Sequence, residues 1–199
     1  MYINESINKY LNDLAARQPT PGGGSAAALA GALGAALLEM VCNFTAGNKK
    51  YKDVEALVNG HMASLKQIRE EFMALIDEDV KVYSNIRAAF KTKDEKIIDK
   101  ALKDGYYISL KICGLSKLCV EIAAALSEKG NINLVSDAGC AAELAKSSFN
   151  SGVFNCEINF KGIKDALFKE KERLVLSALK KDMDNLYKKA ITGTNERMS

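Results

Sequence analysis

Between Ala16 and Met40 the chain reads ARQPTPGGGSAAALAGALGAALLEM: two prolines, three glycines, then a run built from Ala, Gly and Leu. Pro19 and Pro21 end any preceding helix and stiffen the approach to the next. Gly22, Gly23 and Gly24 open backbone conformations closed to other residues. Ser25 is expected as the N-cap of the helix that follows. In that helix Ala27, Gly31 and Ala35 recur every four residues, with Ala30 and Gly34 on a neighbouring row. So shallow a surface lets other helices come very close, which puts this helix at the centre of a bundle. Its glycine-rich start has two readings. One is a capped structural turn; the other is a set of exposed amides receiving an anionic or carbonyl group.

Other readings of the stretch fail on chemistry. A phosphate loop needs Gly-Lys-Ser/Thr, and Gly24-Ser25 has no lysine. GGGSAA can be forced into a dinucleotide pattern, but no strand precedes it. As a membrane span it is long enough, yet Ala and Gly supply little transfer energy, so a buried helix is favoured. The net charge of +3, without a dense basic stripe, does not suggest nucleic-acid binding. Five cysteines without CxxC spacing and a single histidine, His61, argue against a structural zinc site. The odd cysteine count and an N-terminus without a basic and apolar leader pattern fit a reducing cytoplasm.

The remainder reads as helices, and no segment alternates with period two. Ile3, Ile7, Tyr10, Leu11 and Leu14 form one face of a short first helix. Gly47-Asn48 stops the central helix and precedes a basic turn with Lys49, Lys50 and Lys52. Asp53 is expected to cap a long third helix reaching Phe90. Thr92 to Glu95 has capping-box spacing for a fourth helix, to about Leu126, with Gly105 as a candidate break. Ser136 or Asp137 is expected to cap the next. FNSGVFNCEINFKG, Phe149 to Gly162, has no clear pattern, and an amphipathic helix closes the chain. The expected architecture is an all-α bundle of long helices forming a single domain over residues 1–199.

The third helix carries an anomaly. At about 100° per residue, Leu65, Ile68, Phe72, Ile76, Tyr83, Ile86 and Phe90 fall within roughly 40° of one line. Asp79 falls there too, whereas Asp77 and Glu78 point to the polar side. A carboxylate on the core face is costly unless it is paired, or unless a water-poor cleft needs a proton acceptor. Periodicity leaves both open.

Three stretches together resemble a known family. PTPGGGSAAALAGALGAALLEMVCNFTAG followed by KKY, LIDEDVKVY, and KGNINLVSDAGCAAELAKSSFNSGVFNCEIN look like signatures of the cyclodeaminase/cyclohydrolase family. That family includes formiminotetrahydrofolate cyclodeaminases and short bacterial methenyltetrahydrofolate cyclohydrolases. The chain departs from it at Phe90-Lys91, where Leu-Pro-Lys is common, and near Ser109, where proline is usual. The resemblance implies an all-helical homodimeric enzyme of folate one-carbon metabolism, with no metal or cofactor beyond the tetrahydrofolate substrate. On it, Asp79 is the candidate general acid/base. Gly22 to Ser25 would hold a pterin or benzoate carbonyl, and Asn131, Asn133 and Asp137 the pterin edge. Lys49, Lys50 and Lys52 would meet the anionic glutamate tail, or else form a solvated turn. Deaminase and hydrolase stay unresolved, and a non-catalytic folate-binding or assembly module is the alternative.

Overall fold

In a computed structural model describing Met1–Ser199, the chain is all-α with no strand. Six helices follow in order: α1 (Ile7–Ala15), α2 (Gly23–Thr45), α3 (Glu55–Thr92), α4 (Glu95–Lys129), α5 (Val135–Gly162) and α6 (Ala166–Met198). Short 3-10 turns cover Tyr2–Asn4, Lys49–Val54 and Ile132–Leu134. α2 packs against α3, α4 and α5, while α6 covers α4 and α5 from the other side.

The small residues of α2 do what their pattern requires. A side chain on Gly31 would sit 2.4 Å from the buried Phe72 ring of α3. One on Gly34 would sit 3.1 Å from the Ala141 carbonyl oxygen of α5. Seven residues before Gly31, Gly24 lies against Asp79, itself seven residues after Phe72. α2 and α3 therefore run antiparallel with a heptad register. The same register brings Leu38 level with Leu65 and Thr45 level with Val58, and all four are buried. A hydrogen-bonded chain crosses the core: Ser116 Oγ of α4 donates to Ser148 Oγ of α5 at 2.9 Å, and Ser148 Oγ donates to the Ala27 carbonyl of α2 at 2.7 Å.

Several expected caps move. Ser25 is not the N-cap of α2; Gly22 holds that position and carries no capping side chain. Asp53 lies inside the 3-10 turn capped by Asn48, and α3 starts at Glu55 without a side-chain cap. Asp94 rather than Thr92 caps α4, accepting from Lys96 and Ile97. Neither Ser136 nor Asp137 caps α5, which starts from the 3-10 turn capped by Asn131. Gly105 does not break α4. Phe149 to Gly162 is uninterrupted helix, its weak periodicity reflecting burial on several sides. Gly47, at φ +71°, ends α2 as expected.

The core line of α3 holds through Ile76 and then lapses: Tyr83 and Phe90 are exposed. The register explains why. Gly23, the first residue of α2, is level with Val80, so the last turns of α3 extend past the end of α2. α5 does the same on the opposite side.

Candidate active site

Past the N-terminus of α2, the extensions of α3 and α5 bracket the candidate cleft. Its floor is the N-terminus of α2. Its walls are α3 from Asp79 through Tyr83 and Ile86, and α5 at Asn155 and Asn159. Gly105 of α4 closes the back, where an added side chain would meet Ile86 at 2.8 Å and the Asn159 amide at 3.0 Å.

Asp79 is fixed on this floor. Its Oδ2 accepts the Ser25 backbone N–H at 3.0 Å. The missing cap of α2 is thus supplied by α3, and Asp79 takes the role expected of Ser25. The contact depends on Gly24: an added Cβ there would lie 2.0 Å from Asp79 Oδ1 and 2.6 Å from its Cγ. Burial raises the Asp79 carboxyl above its ordinary value, and the Ser25 N–H partly offsets this. One oxygen anchors the group, and the other makes no hydrogen bond within the chain. A carboxyl raised by burial in this way is suited to holding and returning a proton.

Behind it, the Tyr10 hydroxyl of α1 lies 3.0 Å from Ser25 Oγ, and both side chains are buried. The pattern of α1 gave Tyr10 only as a packing residue. Asn155 lies 3.7 Å from the position of a Gly23 Cβ. Its Nδ2 donates to the Ser151 carbonyl at 2.8 Å, and Asn159 Nδ2 donates to the Asn155 carbonyl at 2.8 Å. Both amides therefore keep an oxygen free to accept from a ligand. Two asparagines four apart in a stretch without clear periodicity were the one available sequence signal.

The remaining candidates are elsewhere. α2 spans roughly 33 Å at about 1.5 Å per residue, and Lys49, Lys50, Asn131, Asn133 and Asp137 sit at its far end. Within one chain they cannot share the cleft with Asp79. Asn131 is buried and occupied with structure: its side chain donates to the Phe44 carbonyl at 3.0 Å and accepts from Asn133 N at 3.1 Å and Tyr51 Oη at 3.4 Å. Lys49, Lys50 and Asn133 are exposed, and Asp137 is half-buried. Asp77, expected to face water, is also half-buried and accepts from Tyr2 N at 2.6 Å and Ile3 N at 3.3 Å, tying down the N-terminal turn. No three His, Cys, Asp or Glu side chains converge in the fold. Four cysteines are buried and Cys140 is exposed.

The Formiminotransferase-cyclodeaminase family profile matches residues 6–177. A methenyltetrahydrofolate cyclohydrolase from Methylorubrum extorquens is 39% identical over 180 residues, covering 86% of each chain. The formimidoyltransferase-cyclodeaminase of Rattus norvegicus is 27% identical over 186 residues, and the match spans only 34% of that longer protein. The solved structure of a formiminotetrahydrofolate cyclodeaminase from Thermotoga maritima superposes with a TM-score of 0.96 over 100% of both chains at 28% identity. With the profile covering most of its length, the chain belongs to the formiminotransferase-cyclodeaminase family.

Proposed function

We propose that the protein is a methenyltetrahydrofolate cyclohydrolase whose acid/base group is Asp79. The observation that carries this is the Asp79 carboxyl, held half-buried against Gly24 by the Ser25 N–H, with its second oxygen unbonded within the chain. The methenyl carbon lies between two nitrogens of a cationic amidinium. A carboxylate beside it stabilises that charge and accepts a proton as water adds to the carbon. The tetrahedral adduct then collapses: the proton passes to one nitrogen, that nitrogen's bond to carbon breaks as the adduct's hydroxyl becomes the formyl carbonyl, and the hydroxyl proton is released alongside formyl-tetrahydrofolate. The free amides at the start of α2 suit a carbonyl of the ligand, and the Asn155 and Asn159 oxygens suit pterin N–H donors. The reading uses no metal or redox cofactor, and it includes a homodimer in the cytoplasm.

The relative covering 86% of both chains favours the hydrolase. The likeness to a cyclodeaminase structure supports a second reading: ring closure of formimino-tetrahydrofolate with loss of ammonia, through the same tetrahedral carbon. The absorbance of methenyl-tetrahydrofolate tests both. Its protein-dependent loss supports hydrolysis, and its appearance from the formimino compound supports deamination. Saturable folate binding without either signal would leave a non-catalytic folate-binding module and overturn the proposal.

A further inference from the structure

Asp77 and Asp79 lie on one turn of α3, and each holds a different part of the chain. Asp77 accepts the Tyr2 and Ile3 amides, and Asp79 accepts the Ser25 amide. The segment between those attachments closes a circuit. The Tyr2 ring meets the Tyr10 ring edge-on, with centroids 5.4 Å apart. The Tyr10 hydroxyl lies 3.0 Å from Ser25 Oγ, and Ser25 leads back to Asp79. Two internal bonds stiffen the segment. Tyr2 Oη donates to Asp13 Oδ2 at 3.1 Å, and Ser6 caps α1 by accepting from Lys9 N at 3.1 Å.

Tyr10 is the one buried residue of α1. Ile7 and Leu11 belong to the face expected to be buried, yet are 78% and 52% exposed. The helix therefore docks chiefly through a side chain that ends in a hydroxyl, and that hydroxyl meets a serine. Burial holds the Tyr10 phenol above its ordinary value, so it keeps its proton at neutral pH. The serine it meets sits where α2 needs an outside hold. Gly22 is the N-cap and brings no capping side chain, and Gly23 and Gly24 follow. Consecutive glycines leave the backbone loosely determined. Ser25 is the first residue of α2 with a side chain. Its amide is held from α3 and its hydroxyl from α1.

We infer that Tyr10 is a positioning residue: through Ser25 Oγ it locks the glycine turn, so that the Ser25 amide stays aimed at Asp79 and the carboxyl is fixed before substrate arrives. The N-terminal segment acts as a clamp on the acid, fastened to α3 at Asp77, two residues away from it. A group that moves protons works best when its support is rigid beforehand. Packing alone would be served by a phenylalanine; only the hydroxyl reaches Ser25. This step rests on the reading of Asp79 as the acid/base group.

Amide hydrogen exchange and methenyl-tetrahydrofolate turnover, measured on the same variants, test it. Tyr10→Phe keeps the ring and removes the lock. Exchange of the Ser25 amide, read by NMR, should speed up by about five- to ten-fold, the weight of one hydrogen bond. Turnover should fall by about ten-fold in kcat with KM nearly unchanged, less than the hundred-fold of a full 1 Å displacement. Tyr10→Phe/Ser25→Ala leaves neither hydroxyl orphaned, so its melting temperature should return toward wild type while kcat stays low. Asn12→Ala, exposed on the same helix, should match wild type in both measurements. Unchanged Ser25 exchange in Tyr10→Phe overturns the lock, whatever the turnover. Faster exchange with wild-type kcat, or a kcat that recovers with the melting temperature in the double variant, overturns the positioning role. A wild type without folate turnover sinks the reading of Asp79, and the exchange comparison still decides the lock.

Discussion

Gly24→Ala should remove activity while leaving the fold intact. The added Cβ would stand 2.0 Å from Asp79 Oδ1, whereas ordinary contact begins near 3.4 Å, so the carboxylate must retreat by about 1.4 Å. That breaks its bond to the Ser25 N–H. Displacing a catalytic group by about 1 Å costs on the order of a hundred-fold in rate. Stability should change little, because alanine favours a helix over glycine by about 0.5–1 kcal/mol, which offsets the lost capping bond of about 1 kcal/mol. Gly23→Ala is the control. Its Cβ would meet the Asn155 amide at 3.7 Å, an ordinary contact, so turnover should stay within a few-fold of wild type. The assay is methenyl-tetrahydrofolate absorbance, with circular dichroism checking the helices. Gly24→Ala turnover equal to that of Gly23→Ala would refute the placement of Asp79.

Gly31→Ala drives a Cβ to 2.4 Å from the fully buried Phe72 ring; overpacking should cost about 1–3 kcal/mol, read as a lower melting temperature with residual turnover in the folded fraction. Tyr10→Phe leaves buried Ser25 Oγ without its hydroxyl partner, and thermal unfolding should show a loss of about 1 kcal/mol. Stability against pH should also bear the mark of Asp79. Burial raises its carboxyl in the folded state, so ionising it opposes folding; that penalty is absent below the unfolded value of about 3.9 and complete above the folded value. Asp79→Asn should therefore gain stability relative to wild type as pH rises from 4 to 8, and a relative loss over that range would contradict the raised carboxyl.

The spacing of small residues in α2 and the wheel of α3 were enough to place the bundle's centre and the inward acid. Both are periodic signals, and packing obeys them. What the sequence could not say was which of three glycines is tight. That depends on the α2–α3 register, a long-range property, and it selects Gly24. The same register ends α2 opposite Val80, which exposes Tyr83 and Phe90 although the wheel assigned them to the core. Caps were misplaced wherever tertiary contact overrode the local signal: Asp79 satisfies the Ser25 amide from another helix. Asn131, expected from the family resemblance to meet the pterin edge, is a buried latch between Thr45, Phe44 and Tyr51. Asn155 and Asn159 went unnoticed because they sit on a helix with little net amphipathicity.

The central claim is that Asp79 moves the proton, and single-turnover hydrolysis of methenyl-tetrahydrofolate by Asp79→Asn tests it most directly. Asparagine keeps the shape and can still accept the Ser25 N–H, but it cannot take a proton or offset the amidinium charge. Asp77 no longer serves as the control, since it anchors the N-terminal turn; the exposed Glu78, one residue away, does. Asp79→Asn should slow the chemical step by about a hundred-fold to ten-thousand-fold with folate binding retained, and Glu78→Gln should leave it nearly unchanged. An Asp79→Asn protein that hydrolyses substrate at the wild-type rate would contradict the account.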